Sequence, residues 1–187
     1  MTGDDTADLY LPALLTTRDF SENNSALYLW FSGTHGAEAY ASVIAAGYTV
    51  RALLVWNKLD AHYGNFMAQY MNKHEPFLYC VRESPPWLGP TNEVTVWDVK
   101  QPARNEFHPT QKPVELAQRA ITNSLSVGGV VADWFLGSGS TLIAAEQTQR
   151  RCVGVELAPS YCQVILDRWE AFTGKTAQKV GETVHVA

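Results

Sequence analysis

The sequence predicts an α/β protein in which parallel strands carry helices on their faces, and three observations predict it. From Val130 onward, short apolar runs alternate with segments of helical spacing in the order strand, helix, strand, helix. Gly47, Gly128-Gly129 and Pro113 punctuate the chain where one unit should end and the next begin. The chain has 187 residues, about the length of one domain and enough to bury a sizeable core.

Residues 7–17 place Ala7, Leu9, Leu11, Leu14 and Leu15 on several faces of a short helix. Leu27 to Phe31 is an apolar run suited to a buried strand. The Ala-rich segment 36–46 reads as a helix closed by Gly47. Thr49 to Trp56 and Pro76 to Val81 are β-rich, and the polar stretch 57–75 between them reads as turn-like. Ser84 to Asn105 holds four prolines, Trp87 and Trp97 without sustained periodicity, which predicts an ordered loop. A helix should start near Pro113, where a missing N–H costs nothing, and Val114, Ala117, Ala120 and Ile121 keep helical spacing. Val130-Val131-Ala132 starts a buried strand, Ser140 to Thr148 a helix, Cys152 to Leu157 a second strand and Ser160 to Phe172 a last helix.

Composition narrows the function classes. No apolar run approaches the ~18 residues of a membrane span, and the acidic start Met1 to Asp5 lacks a secretory layout, so the expectation is a cytoplasmic protein. Cys80, Cys152 and Cys162 have no C-x-x-C neighbours and read as reduced thiols in apolar runs, with no metal site expected. A net charge of −5 means that any face for nucleic acid must be local.

Asp133-Trp134-Phe135-Leu136-Gly137-Ser138-Gly139-Ser140-Thr141 lies between a predicted parallel strand and a helix, where α/β sheets bind ligands. Gly137 and Gly139 allow a tight turn and a close ligand approach. Glu156, nineteen residues beyond Gly137, has the spacing of a carboxylate that accepts bonds from ribose hydroxyls. A loop without lysine is not a phosphate-cradling P-loop. The absence of a third glycine three residues after Gly139 weakens a dinucleotide reading. An acid ahead of the glycines repels pyrophosphate but suits the ammonium of an amino-acid moiety.

The same residues resemble the D-x-F-x-G-S-G-S-T cofactor motif of N6-adenine and N4-cytosine DNA methyltransferases. His108-Pro109-Thr110-Gln111-Lys112-Pro113 resembles the H-P-T-Q-K-P motif of that family. Val155-Glu156-Leu157-Ala158-Pro159-Ser160-Tyr161 is similar to its G-x-E-x-D-P-x-Y segment, with Ala158 in place of the usual acid. The three follow one another in the order of the β class, and weaker likeness at Leu27 to Phe31, Trp56, Lys58 and His74-Glu75 extends it upstream.

The resemblance implies a Rossmann-like class I S-adenosylmethionine-dependent methyltransferase fold in circularly permuted β-class order: a mostly parallel sheet with an antiparallel hairpin. It implies S-adenosyl-L-methionine as cofactor and double-stranded DNA as partner, with methylation of the exocyclic amine of adenine or cytosine. Asp133, Phe135, Gly137, Ser138, Gly139, Ser140 and Thr141 would contact the methionine part, Glu156 the ribose, and Thr110 and Lys112 the cofactor's carboxylate. His108 would have an orienting role.

The family's chemistry resides in an Asp/Asn/Ser-Pro-Pro-aromatic tetrad at the end of a central strand, whose polar groups hold the amine of a flipped base. No Asp-Pro-Pro-Tyr occurs in this chain. Ser84-Pro85-Pro86-Trp87 is the substitute by residue type, but Arg82 and Glu83 separate it from the preceding strand-like run, and a proline-rich loop is the favoured reading. In the β class the tetrad precedes the segments matching residues 7–31. The expectation is therefore a single domain, 1–187, incomplete at its N-terminus, with its central strand upstream of Met1, on a partner, or lost; a homodimer or a complementing N-terminal polypeptide is the expected protein partner. A non-catalytic cofactor-binding fragment, or one half of a split enzyme, is the alternative function. The stretches 57–75 and 84–107, with Lys58, Lys73, Lys100, Arg104, Trp87 and Trp97, are candidates to face DNA.

Overall fold

A computed structural model describes residues 7–62, 69–101 and 111–181. Helix α1 spans Tyr10–Asp19, strand β1 Ala26–Trp30 and helix α2 Gly36–Ala45. Strands β2 (Thr49–His62), β3 (Asn72–Val81) and β4 (Val96–Asp98) follow, then α3 (Val114–Ser124), β5 (Val130–Asp133), α4 (Ser140–Gln147), β6 (Arg151–Gly154) and α5 (Pro159–Thr173).

The strands form a four-stranded sheet in the order β1-β3-β2-β4 and a two-stranded sheet, β5-β6. In the first, β3 pairs antiparallel with both β1 and β2, and β4 joins β2 in parallel. In the second, β5 and β6 are parallel, connected through α4, which is the β-α-β unit that the tail of the sequence predicts.

Alternation along the strands sorts their side chains into two layers. Leu27, Leu29, Leu78 and Cys80 pack under Leu14 of α1 and Val43 of α2. Tyr28, Trp30, Phe77 and Tyr79 face the other way, toward Trp56, Trp97 and Leu116 of α3. Between Val50 and Ala52 the register with β3 slips by one residue, so Val50 joins the first layer and Ala52 the second. Phe77 is fully buried, stacked on Trp30 at 4.0 Å and edge-on to Trp97 at 5.0 Å.

Helix α3 serves both sheets. Leu116 and Ala120, one turn apart, enter the aromatic layer of the first. Val114, Ala117, Ile121 and Leu125 pack with Val131, Cys152, Ala144 and Ala145 of the second unit. Among the described residues no hydrogen-bonded strand pair joins the two sheets, so β1 and β5 each keep an unpaired side. The opposite face of the β5-β6 pair is also open, with Val130 and Val153 about half exposed.

Three readings of the sequence need correction. The stretch 57–75 is not simply turn-like: β2 runs on to His62 and β3 begins at Asn72. Its polar residues conceal strand because pairing, not burial, holds them there; the Asn57 amide donates to Asp98 at 2.7 Å and Leu59 turns at φ 68°. The loop from Ser84 contains β4, whose Trp97 is 1% exposed and therefore part of the core rather than a DNA-facing aromatic. The second tail strand ends at Gly154, so Glu156 stands in the loop beyond it. Among the described residues, no helix is long and apolar enough to cross a membrane.

Candidate functional site

The loop after β5 is braced by two carboxylates. Asp133 accepts the Phe135 N–H on Oδ1 at 3.0 Å and the Thr141 hydroxyl on Oδ2 at 2.6 Å, so it ties the start of the loop to the first turn of α4. Glu156 accepts the Gly137 N–H on Oε2 at 2.8 Å and the Ala158 N–H on Oε1 at 2.9 Å. Backbone bonds from Leu136 to Val155 and from Val155 to Asp133 continue the parallel ladder into the loop. Gly137 and Gly139 both have positive φ, 57° and 83°. A Cβ at Gly137 would meet nothing closer than 3.9 Å, so the face above it is open. Each carboxylate oxygen holds one of these bonds and has a second lone pair, which leaves both acids able to accept from a ligand.

Lys112 approaches from the residues before α3. Its carbonyl accepts the Ser140 hydroxyl at 2.8 Å, which fastens the segment to the Gly-Ser loop. Its ammonium lies 3.3 Å from Glu75 and 4.9 Å from the centre of the Trp30 ring. Lys58 reaches the other oxygen of Glu75 at 2.7 Å and lies over Trp56. Burial pushes the Glu75 carboxyl up, but Lys112 and Lys58 more than offset this and hold it below the ordinary carboxylate range. Two ammoniums thus share one carboxylate at the end of β1 where α3 begins, and the cluster carries a net positive charge.

The structure brings Lys112, Asp133, Phe135, Gly137, Ser138, Gly139, Ser140, Thr141 and Glu156 into one neighbourhood. Thr110 and His108 lie outside the described residues, as does Arg104. Ser84-Pro85-Pro86-Trp87 does not join them. Leu88 N–H donates to the Asn123 carbonyl and Trp87 packs edge-on to Tyr79, so the tetrad sits by the C-terminal end of α3. Lys112 is at the other end of that helix, about 15 Å away at 1.5 Å per residue. Val81, three residues before Ser84, pairs with Ala26 at the start of β1, whereas Lys112 meets Trp30 at its end. Of the candidate DNA-facing residues, Lys58 is engaged by Glu75, while Trp87, Lys73 and Lys100 are exposed. Cys80 and Cys152 are packed in the apolar layers, and burial pushes both thiols up to about 12.

A family model described as DNA methylase, of the N6/N4 methyltransferase type, matches residues 22–167. The chain belongs to the N6/N4 DNA methylase family. Among relatives of this chain is the type II methyltransferase M.Cfr9I of Citrobacter freundii, 32% identical over 137 residues, which are 65% of this chain and 45% of that protein. The DNA adenine methyltransferase YhdJ of Escherichia coli is 34% identical over 77 residues, 41% of this chain and 26% of that one. The first relatives that the chain matches are spanned by it over 27 to 58% of their length. Its fold is that of the M1.HpyAVI–SAM complex, with a TM-score of 0.74 at 24% identity over 85% of this chain and 81% of the other. The cytosine-N4-specific PvuII DNA methyltransferase aligns with a TM-score of 0.77 at 14% identity, over 87% of this chain and 70% of that one.

Two site residues escape the motif reading. Glu75 figures there only as part of a weak upstream likeness, and its link to Lys112 needs the sheet to be folded. Arg168 carries no motif at all, yet it touches the Gly-Ser loop.

Proposed function

We propose that this chain binds S-adenosylmethionine on the Asp133–Thr141 loop and serves methylation of the exocyclic amine of adenine or cytosine in DNA. The observation that carries the reading is the brace across the loop. Glu156, from beyond the neighbouring parallel strand, holds the Gly137 N–H and retains lone pairs for the two ribose hydroxyls. The ligand's other parts find matching groups nearby. Asp133 presents a half-buried carboxylate to an ammonium, and the net positive charge of Lys58 and Lys112 around Glu75 suits a carboxylate. The open face over Gly137 gives the ligand backbone contact without a side chain in the way. When bound, the cofactor supplies an electrophilic methyl group. The chain's own residues orient its amino-acid end and keep the Gly-Ser turn in its left-handed conformation.

A second reading is favoured by the seam between the sheets: this chain holds the cofactor, and methyl transfer needs a further strand between β1 and β5. Among the described residues both strands have an unpaired side, and unpaired backbone groups in an interior each cost about 1–3 kcal/mol. The Trp134 indole N–H, directly after β5, is buried without a partner among the described residues. Ser84-Pro85-Pro86-Trp87 sits at the wrong end of α3 to act on a methyl held at Gly137.

Transfer of a labelled methyl group from S-adenosylmethionine to unmethylated DNA separates the two. Incorporation by this chain alone supports the autonomous enzyme and removes the second reading. Cofactor binding without transfer, restored by a polypeptide carrying an Asp/Asn/Ser-Pro-Pro-aromatic strand, supports the second. Absence of cofactor binding refutes both.

A further inference from the structure

We infer that Arg168 is a positioning residue for the cofactor loop, holding the Ser138–Ser140 turn in the shape that receives the amino-acid end of the ligand. The inference rests on the cofactor reading above.

Helix α5 meets the loop through one stripe. Ile165, 7% exposed, lies directly beneath Gly139, where a Cβ would come within 3.3 Å of its Cγ1. Arg168, three residues on, shares that face of the helix. Its Nη1 donates to the Ser138 carbonyl at 2.9 Å and stands 3.3 Å from Ser138 Oγ and 3.5 Å from Ser140 Oγ. Ser138 is itself 4% exposed, so its carbonyl has little access to water and depends on a protein donor. The Ser140 hydroxyl, next to the guanidinium, donates onward to the Lys112 carbonyl. One cation therefore links the two segments that flank the proposed ligand: the Gly-Ser turn directly, and the Lys112 segment through Ser140.

The guanidinium is delivered by a fixed lever. Trp169, beside it in sequence, donates its indole N–H to Glu146 of α4 at 2.9 Å, and Lys175 lies over the same ring. The thiol of Cys162 lies 3.5 Å from the Glu156 carbonyl, near the start of α5. With α5 anchored on α4 and on the Glu156 loop, Arg168 has a defined reach. Burial lowers its pKa from the ordinary value, yet arginine remains charged across the physiological range. An open cavity of about 520 Å³, lined by Lys100, Gln111, Gln118 and Gln147 among others, adjoins Arg168.

The test compares two ligands that differ at the end this turn receives: S-adenosylmethionine, and methylthioadenosine, which lacks the amino-acid portion. Calorimetric titration of the full chain should show Arg168→Gln binding S-adenosylmethionine roughly tenfold or more weakly than wild type, the loss expected of a charge-assisted bond. Its affinity for methylthioadenosine should stay close to wild type. Arg168→Lys, which keeps the charge but not the fork, should give an intermediate loss. Equal weakening for both ligands, or S-adenosylmethionine affinity within twofold of wild type, would overturn the assignment. Should Arg168→Gln not fold, an unchanged ratio of the two affinities in Arg168→Lys overturns it. If wild type binds neither ligand, the cofactor reading fails first and this one with it.

Discussion

Replacing each glycine of the Gly-Ser turn by alanine separates the stability of the loop from its function. At Gly139, φ is 83° and ψ 25°, a left-handed backbone that costs an L-residue about 1–2 kcal/mol. The new methyl would also lie 3.3 and 3.4 Å from two carbons of Ile165, which is buried and has little room to yield. Overpacking of that kind adds about 1–3 kcal/mol. At roughly 2–4 °C per kcal/mol for a protein of this size, Gly139→Ala should lower Tm by about 4–20 °C. At Gly137, φ is 57°, inside the left-handed well, and the methyl meets nothing within 3.9 Å of it. Gly137→Ala should therefore cost only about 1 kcal/mol, roughly 2–4 °C. Its methyl, however, stands where the ligand is proposed to lie, so it should weaken S-adenosylmethionine binding more than tenfold. Thermal unfolding and calorimetry on both variants give the answer. A Gly139→Ala protein as stable as Gly137→Ala would refute the packing argument, and wild-type affinity in Gly137→Ala would refute the placement of the ligand.

Phe77→Ala should destabilise by about 3–5 kcal/mol in urea titration, because it empties the centre of the aromatic layer between Trp30 and Trp97. Glu75 is held below its unfolded pKa of about 4.3, so its ion pairs contribute stability above that value and lose it as pH falls through the folded one. Glu75→Gln should be less stable than wild type at pH 7, and the gap should close under acid; a gap that persists unchanged at low pH contradicts the assignment. Cys80 and Cys152, with thiols pushed up by burial, should resist alkylation at pH 8 until the chain unfolds, as mass spectrometry of native and denatured samples would show.

The parts of the fold legible in the sequence are those where local pattern and tertiary environment agree. The β5-α4-β6-α5 tail declares itself through apolar runs, glycines and helical spacing, and the structure places each element within a few residues of its expected bounds. The carboxylates at Asp133 and Glu156 are legible because their spacing follows from one β-α-β crossover. What the sequence conceals depends on distant partners. Residues Asn57 to His62 look like loop because this end of β2 is polar and its register with β3 breaks there, although Asn57 and His62 pair with His74 and Asn72. Trp97 suggests a surface aromatic by its proline-rich surroundings, yet Phe77 and Arg119 enclose it. Glu75 reaches Lys112 across the fold, and Arg168 reaches Ser138 from another helix; neither contact has a signature in linear spacing.

The seam between the sheets also bears on how this protein can change over generations. With no backbone ladder across it among the described residues, β1 to β4 pack in two apolar layers of their own and β5-β6 in another cluster, while α3 packs against both halves and Phe20 meets Trp134 edge-on across the seam. A substitution in the antiparallel half therefore meets its own aromatic neighbours first, and one in the half that carries the Gly-Ser loop meets a separate cluster. The α3 residues whose substitution would disturb both halves are Leu116 with Ala120, and Val114, Ala117, Ile121 and Leu125 beside them. A lineage that preserves those rows can recast the surface of β2 and β3 while inheriting the Gly-Ser loop intact.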